Sequence, residues 1–187
     1  LFRQDGDLKA SFVKAEKAIA RSLRDPLFQE YMSGEKQVIM TGELFGSKWK
    51  IKMDSYHPGR AIVDLKYMQS LTKFGYVPDI GYLDFVRYWG YDLQGAIYQE
   101  IVYQNTGKRL PFYIAGISKE EAMNIEVIYI HDNYLKEAMK VIESRMPRIL
   151  QVKYHGAKPD RCEQCIWCRD TKVLTKPIGI GDLTASL

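Results

Sequence analysis

The chain has 187 residues, of which 46% are hydrophobic and 27% charged, and its formal net charge is +4. This length is enough for one domain with a real core, and the composition is ordinary for a soluble globular protein. No apolar run reaches the length of a membrane span, which argues against a transmembrane protein. The small positive charge is compatible with a nucleic-acid partner but does not require one.

The N-terminal region predicts two helices. Leu8–Leu23 carries apolar residues at helical spacing with lysines and arginines between them. Asp5 or Asp7 could cap this helix, and its basic residues are either a solvated face or contacts to a DNA backbone. Pro26 ends it and suits the first turn of a second helix that runs to Met32. The apolar stripe of the first helix comprises Phe12, Ala15, Ile19 and Leu23.

From Gln37 the periodicity becomes strand-like. Residues 38–45 predict one strand, and a turn at Gly46-Ser47 leads to the alternation Trp-Lys-Ile-Lys-Met-Asp. Such alternation indicates one buried face and one wet face, on which Asp54 should lie. Together with the arm Ile62–Lys66, these strands predict a three-stranded meander. Glu43 in the first strand is either a further acid facing a site or a surface residue on an edge strand, and we prefer the second interpretation.

Two acids and a lysine should meet across a hairpin that turns at His57-Pro58-Gly59. Asp64 and Lys66 share one face of the second arm, and Asp54 can reach the same volume from the first. Converging carboxylates need a cation between them, and hard oxygen ligands suit Mg²⁺ or Mn²⁺. A lysine beside them can orient water or stabilise negative charge. The alternative is an exposed hairpin with solvated charges.

The middle of the chain predicts a loop followed by a long helix. Residues 67–80 contain several breakers, and Lys73 there is a candidate phosphate contact. Tyr82–Gln104 has a continuous apolar stripe and predicts one helix. Gly90 and Gly95 inside it each cost about 1 kcal/mol relative to Ala, which suggests close packing or a backbone that approaches something.

One face of this helix carries Tyr91, Gln94 and Tyr98 at spacings that stack them; the default role of such tyrosines is to fill a core margin. Two apolar runs then predict strands, and an amphipathic segment capped by Asp132 predicts a last helix. These three elements cover Leu110–Ile117, Ile125–Ile130 and Asn133–Ile149.

The predicted order of elements is helix, three strands, long helix, two strands, helix. It indicates an α/β domain in which helices flank a mixed central β-sheet. Without repeats or linkers, we expect one domain over residues 1–187, with a cysteine-containing tail from about 155. Because the chain opens on Leu1, we expect that an N-terminal part is missing.

The tail contains the spacing C-x-x-C-x-x-C at Cys162, Cys165 and Cys168. Three thiolates at this spacing can share one soft metal centre. The alternatives are a [4Fe–4S] cluster or Zn²⁺ completed by a residue outside this sequence, an empty site, or a redox-inert tail; His155 is the nearest histidine. An odd, clustered set of cysteines is unlike a secreted disulfide framework and favours a cytoplasmic protein.

Taken in order, these motifs resemble the RecB-like branch of the PD-(D/E)XK nucleases. The resemblance rests on the order Gly42-Glu43, Asp54, Asp64-Leu65-Lys66 and Gln94-x-x-x-Tyr98. It rests also on the stretch Trp89–Tyr98 and on the closing cysteines. The stretch Trp89–Tyr98 and the closing cysteines are similar to those of phage and prophage exonucleases of the exonuclease VIII (RecE) type. The fold implied is a restriction-endonuclease-like core.

The resemblance implies a role for each of these residues. Asp54, Asp64 and the carbonyl of Leu65 would bind Mg²⁺ or Mn²⁺, and Lys66 would position the attacking water. Gln94 and Tyr98 would support the site or the DNA strand.

The implied activity is metal-dependent exonuclease digestion of linear double-stranded DNA from its ends, in phage-type recombination. The implied partners are a single-strand annealing protein and other copies of the chain in a ring-shaped homo-oligomer. A non-catalytic DNA-binding module and an endonuclease of the same superfamily are the alternatives. A further metal ligand is expected before Leu1.

Overall fold

The computed structural model describes residues 4, 6–7, 9–77, 80–163 and 165–181. The residues Asp5, Leu8 and 78–79, which entered the predictions above, lie outside the described part. The chain divides into two compact units, Leu1–Met146 and Pro147–Leu187. In the described residues, none of the helices combines the length and hydropathy that crossing a bilayer requires.

The elements follow one another in an α/β order. They are α1 (Ala10–Leu23), α2 (Pro26–Tyr31), β1 (Val38–Leu44), β2 (Ser47–Met53), β3 (Ser55–His57), β4 (Ala61–Met68), β5 (Gly75–Val77), β6 (Gly81–Leu83), α3 (Phe85–Tyr88), α4 (Tyr91–Thr106), β7 (Phe112–Ser118), β8 (Ile125–Ile130), α5 (Asp132–Tyr154) and α6 (Ile166–Asp170).

A four-stranded sheet with the order β3-β4-β7-β8 forms the centre of the first unit. β4 and β7 run parallel, whereas β3–β4 and β7–β8 are antiparallel pairs. The connection between the parallel strands contains α3 and α4, as a parallel crossover requires. The mixed central sheet predicted from the sequence is therefore confirmed.

The two faces of β4 carry different environments because side chains alternate along a strand. On one face, Val63 packs in a cluster with Ala18 of α1 and Phe28 of α2. On the other face, Ile62 is fully buried and is followed by Asp64. α1 and α2 thus cover one face, and α4 lies on the other face, which bears Asp64.

The predicted long helix over Tyr82–Gln104 is wrong, because the chain breaks at Gly90. Gly90 has φ 69°, a left-handed conformation that separates α3 from α4. The first residues of the predicted helix belong to β6, which pairs with β5. The loop predicted for residues 67–80 therefore contains strand residues as well.

The predicted three-stranded meander is also wrong. β1 and β2 form their own two-stranded sheet, and the chain bends at Asp54 before β3 continues beside β4. Both oxygens of Asp54 accept hydrogen bonds, one of them from the backbone of β4. A strand residue whose side chain binds the neighbouring backbone interrupts the regular ladder at that point.

The place of Pro26 in the first turn of α2 follows the prediction, but the exposure of α1 does not. The side chain of Asp25 accepts a hydrogen bond from Phe28 N at 2.9 Å, with Pro26 at the first helical position. In α1, Ala18 is buried, whereas Ile19 and Leu23 of the predicted stripe are exposed.

Gly95 brings α4 close to the sheet. A Cβ atom added there would lie 2.7 Å from Phe112 Cδ1 and 3.0 Å from Leu135 Cδ2. Both distances are shorter than or at the limit of ordinary carbon contacts, so a methyl group forces movement of the core. The close packing predicted for Gly95 is confirmed.

We predict that Gly95→Ala destabilises the protein by about 1–3 kcal/mol, because overpacking outweighs the usual gain in helix propensity. Urea unfolding measures the free energy. The control is Gly181→Ala, where nothing lies within 4 Å of an added Cβ, and there we expect little change. A stabilised Gly95→Ala variant would contradict the packing account, since that is the result expected for an unhindered helix position.

Candidate active site

Asp54 lies opposite Asp64 because of the register of the β3–β4 hairpin. Ser55 pairs with Val63, and one further step along both strands brings the two aspartates face to face. Leu65 N donates a hydrogen bond to Asp54 Oδ2 at 2.9 Å, and Gln37 Nε2 donates to Oδ1 at the same distance. The bend at Asp54 is thus fixed from both sides.

Asp64 is a carboxylate buried in the sheet, only 3% exposed. Its Oδ1 accepts a hydrogen bond from Gln94 Nε2 at 2.8 Å. Its Oδ2 lies 2.5 Å from Lys66 Nζ in an ion pair, yet among the described residues no donor has the geometry of a hydrogen bond to it. A buried oxygen with unused acceptor capacity is the kind of atom that a cation satisfies.

Burial raises the pKa of Asp64 above the ordinary range of an aspartate, because the charged form loses hydration. The adjacent ammonium group of Lys66 lowers the pKa, the nearby charge of Asp54 raises it again, and the hydrogen bond from Gln94 lowers it. The net direction is upward. A divalent cation between the two aspartates would offset both causes of the increase.

Gln94 connects the carboxylate to the ammonium group. Its amide nitrogen donates to Asp64 Oδ1, while its Oε1 accepts from Lys66 Nζ at 2.8 Å. The reversed amide would place its NH₂ against the ammonium and its oxygen against the carboxylate, so the charges select one orientation. The ring of Tyr91 lies 4.3 Å from Lys66 Nζ, which adds a cation–π contact.

Three oxygen ligands are available where Asp54 meets β4. In a strand, the N–H and C=O of one residue point to the same side, so the carbonyl of Leu65 faces the side from which Asp54 accepts its N–H. The carboxylates of Asp54 and Asp64 complete the group. An all-oxygen set with one unsatisfied buried acceptor fits Mg²⁺ or Mn²⁺.

Tyr98 does not contact the carboxylates. Its hydroxyl donates to the carbonyl oxygen of Lys52 at 3.0 Å, and its ring packs edge-on to Phe112 at 5.9 Å. It therefore ties α4 to the strand that ends just before Asp54, and this is a positioning contact.

Glu43 does not reach the site: of its two interpretations, the preferred one as a surface residue agrees with the structure, and its candidacy as a further acid of the site is corrected. It pairs with Lys48 beside the turn of the β1–β2 hairpin, whereas Asp54 follows the opposite end of β2. At about 3.4 Å per residue, the stretch from Lys48 to Asp54 spans roughly 20 Å. Glu43 is an exposed residue whose backbone bonds to Gln104.

Sequence reasoning missed two residues that contact this group. Gln37 faces Asp54 because it precedes Val38, the partner of Met53 in the β1–β2 register; counting back from the predicted turn would have found it. Tyr91 was assigned to a core margin by default, although its spacing from Gln94 placed it on the correct face.

The second unit contains the cysteine group. The three sulfurs lie within 4.8 Å of one another, and the Sγ atoms of Cys162 and Cys168 are 3.8 Å apart. Backbone N–H groups of Cys165 and Cys168 donate to sulfurs at 3.3 and 3.4 Å. In the described part of the chain, His155 is not a member of this group.

Comparison with known proteins places this geometry in context. The profile of a family described as "PDDEXK-like domain of unknown function (DUF3799)" matches residues 2–171. A comparison with curated proteins gave no match. The crystal structure of a proposed exonuclease from Eubacterium rectale matches with a TM-score of 0.91 and 63% sequence identity, covering 100% of this chain and 70% of that chain. The family match agrees with the predicted restriction-endonuclease-like core.

We predict that Mg²⁺ or Mn²⁺ at about 100 times its Kd raises the melting temperature by roughly 5–10 °C, since a ligand that binds only the folded state stabilises it. Asp64→Asn should abolish this rise, because the amide removes the anionic ligand. Glu43→Gln makes the same chemical change far from the site and should retain it. A full rise in Asp64→Asn would contradict the assignment of the metal site.

Proposed function

Because the chain belongs to the PDDEXK-like domain family DUF3799, we propose that it is a divalent-metal-dependent exonuclease that hydrolyses phosphodiester bonds of linear double-stranded DNA. The observation that carries the proposal is the contact of Asp64 and Lys66 through the Gln94 amide, directly opposite Asp54. The relative from Eubacterium rectale, itself a proposed exonuclease, supports the same class of reaction.

In this proposal, Asp54, Asp64 and the carbonyl of Leu65 hold Mg²⁺ or Mn²⁺. When bound, the cation supplies Lewis-acid chemistry and neutralises charge at the scissile phosphate. Asp64 must be ionised for this role, and Lys66 favours its ionised form. Burial of Asp64 keeps water from competing for its oxygens.

Lys66 orients the attacking water and stabilises the charge that develops on the phosphate. Its ammonium group cannot swing freely, because Asp64, Gln94 and the face of Tyr91 hold it. Positioning by three contacts reduces the entropy lost when the reacting groups are aligned.

A row of lysines on β2 supports nucleic acid as the substrate. Lys48, Lys50 and Lys52 alternate with inward-facing residues and are exposed. Residues two apart on a strand are about 6.8 Å apart, and this row ends next to Asp54. Such a row can contact successive phosphates of one strand and lead them toward the carboxylates. The resemblance to RecE-type exonucleases extends the proposal to an annealing protein and a ring of identical subunits as partners.

The experiment incubates end-labelled linear duplex DNA with the protein and Mg²⁺. We expect release of label by the wild type and a loss of about 10²–10³-fold in Lys66→Met, which keeps the apolar stem but removes the charge. The matched control is Lys140→Met, an exposed lysine of α5, with activity unchanged.

The other outcomes of the DNA assay identify the two alternative functions. Retarded but intact linear DNA would identify a non-catalytic DNA-binding module. Cleavage of covalently closed circles would identify an endonuclease, because an exonuclease needs an end. Either result overturns the proposal.

We predict that Gln94→Ala lowers the rate of DNA hydrolysis by about 10–100-fold, the usual effect of removing a group that orients a metal ligand. Gln104→Ala is the control on the same helix. Gln104 also makes two hydrogen bonds to a neighbouring strand, at Glu43, so its loss should cost comparable stability without affecting the rate. Equal activity in the two variants would show that the amide only holds the fold together.

We also propose that Cys162, Cys165 and Cys168 bind one soft metal centre, an iron–sulfur cluster or Zn²⁺. Backbone N–H groups that donate to sulfur stabilise thiolate charge in such sites. Elemental analysis of the purified protein should find iron or zinc, and Cys162→Ser with Cys165→Ser should remove it. Asp64→Asn should keep it, since that residue belongs to the other unit. Wild-type protein without either element would contradict this prediction.

A further inference from the structure

A cleft of about 420 Å³ opens where β4 continues past Lys66, from Tyr67 onward. Its lining includes six exposed or half-buried side chains that the proposed hydrolysis does not use: Tyr67, Lys73, Phe74, Tyr88, Trp89 and Lys119. Tyr91 also lines it, and the ring of Tyr91 lies 4.3 Å from Lys66 Nζ. The cleft and the catalytic lysine therefore share one aromatic ring.

The aromatic rings of the cleft are displayed to solvent. Phe74 is 66% exposed and Trp89 62% exposed. Burying such a large aromatic side chain would be strongly favourable, so its exposure to water is costly. Tyr88 and Trp89 pack edge-to-face with their centroids 5.2 Å apart. Because these two rings already hold each other in place, a ligand that stacks on them need not order them, and less side-chain entropy is lost on binding.

The wall of the cleft is held in place by Gly75. A Cβ atom at this glycine would overlap the ring of Tyr88, so the β5–β6 hairpin rests directly on α3. Another part of the lining is held by Lys119, whose backbone N–H donates to Met68 O at 2.7 Å. The cleft is therefore built by backbone contacts as well as by side chains.

The charge of the cleft favours an anion. Lys73 and Lys119 line it, and none of the described lining residues is acidic. Glu120, the next residue after Lys119, accepts a hydrogen bond from Ser70 at 3.0 Å. The ammonium group of Lys119 lies 5.1 Å from the ring of Tyr67, so a cation and a π-face are offered side by side.

We propose that this cleft binds the unpaired nucleotides at the end of the DNA strand being digested, with bases stacked on Phe74 and Trp89 and phosphates beside Lys73 and Lys119. The inference rests on the proposed nuclease function and specifies its substrate as a strand end separated from its complement. Stacking on a protein ring needs an unpaired base. A cleft of this volume suits a ligand of nucleotide size and is too small for a duplex.

The test measures binding of a fluorescein-labelled oligothymidylate of about 12 nucleotides by anisotropy, in EDTA so that no hydrolysis occurs. We expect Trp89→Ala and Phe74→Ala each to weaken binding of the oligonucleotide by about 5–150-fold. The affinity of each variant for a blunt duplex of the same length, measured by competition, should stay within about 2-fold of the wild-type value. Trp89→Phe, which keeps a ring, should recover most of the affinity.

The matched control is Tyr103→Ala, an exposed aromatic on α4 that lies 4.4 Å from Arg109 and outside the cleft lining. It should bind the oligonucleotide like the wild type. Melting temperatures test whether all variants are folded. We expect them to be, because Phe74 and Trp89 are exposed and substitutions at exposed positions usually change stability little.

Unchanged oligonucleotide affinity in both cleft variants overturns the inference, as does an equal loss for single strand and duplex. If the wild type self-associates in solution, loss of that association in Trp89→Ala without loss of oligonucleotide affinity also overturns the inference and identifies a self-association surface. Failure of the proposed nuclease function gives a different result from failure of this inference. In that case linear DNA stays intact in Mg²⁺, while the oligonucleotide still binds in EDTA.

Discussion

The first unit depends on one buried carboxylate and the amide that holds it. Asp64 lies in the sheet with little contact to water, and leaving such a charge uncompensated is costly. Gln94 and Lys66 supply the compensation from a helix and from the same strand. Because Gln94 bonds to both charges, the position of α4 over the sheet and the direction of the lysine are fixed together.

Two glycines make that position of α4 possible. Gly90 takes a left-handed conformation that only glycine adopts at low cost, and α4 begins at the next residue. Gly95 then allows the helix to approach Phe112 and Leu135 more closely than any side chain would permit. Without the first glycine the helix would not start at Tyr91, and without the second Gln94 would lie too far from Asp64.

The same break in the chain shapes the surroundings of the candidate site. Since α3 ends before Gly90, Tyr88 and Trp89 are presented at the cleft, whereas a continuous helix would carry them around its circumference. Tyr91 is then the first residue of α4 and lies between the cleft and Lys66. The left-handed conformation of Gly90 thus places the rings of Tyr88 and Trp89 at the cleft, while Tyr91 keeps the cleft in contact with Lys66.

Sequence periodicity predicted the elements whose pattern is local. Alternation in residues 61–68 placed Asp64 and Lys66 on one face, and the turn at His57-Pro58-Gly59 brought Asp54 to the neighbouring strand. The apolar runs gave β7 and β8 close to their observed bounds. These features need only the two-residue repeat of a strand and the chemistry of a turn.

The tertiary structure alone decided what depends on register and packing. A helical pattern cannot show that Gly90 takes a positive φ, so the sequence predicted one helix where there are two. It could not show that Glu43 lies at the far end of its hairpin, or that the amide of Gln94 joins Asp64 to Lys66. Periodicity reports the direction of a side chain from its own element, whereas the distance between two elements is set by the side chains packed between them.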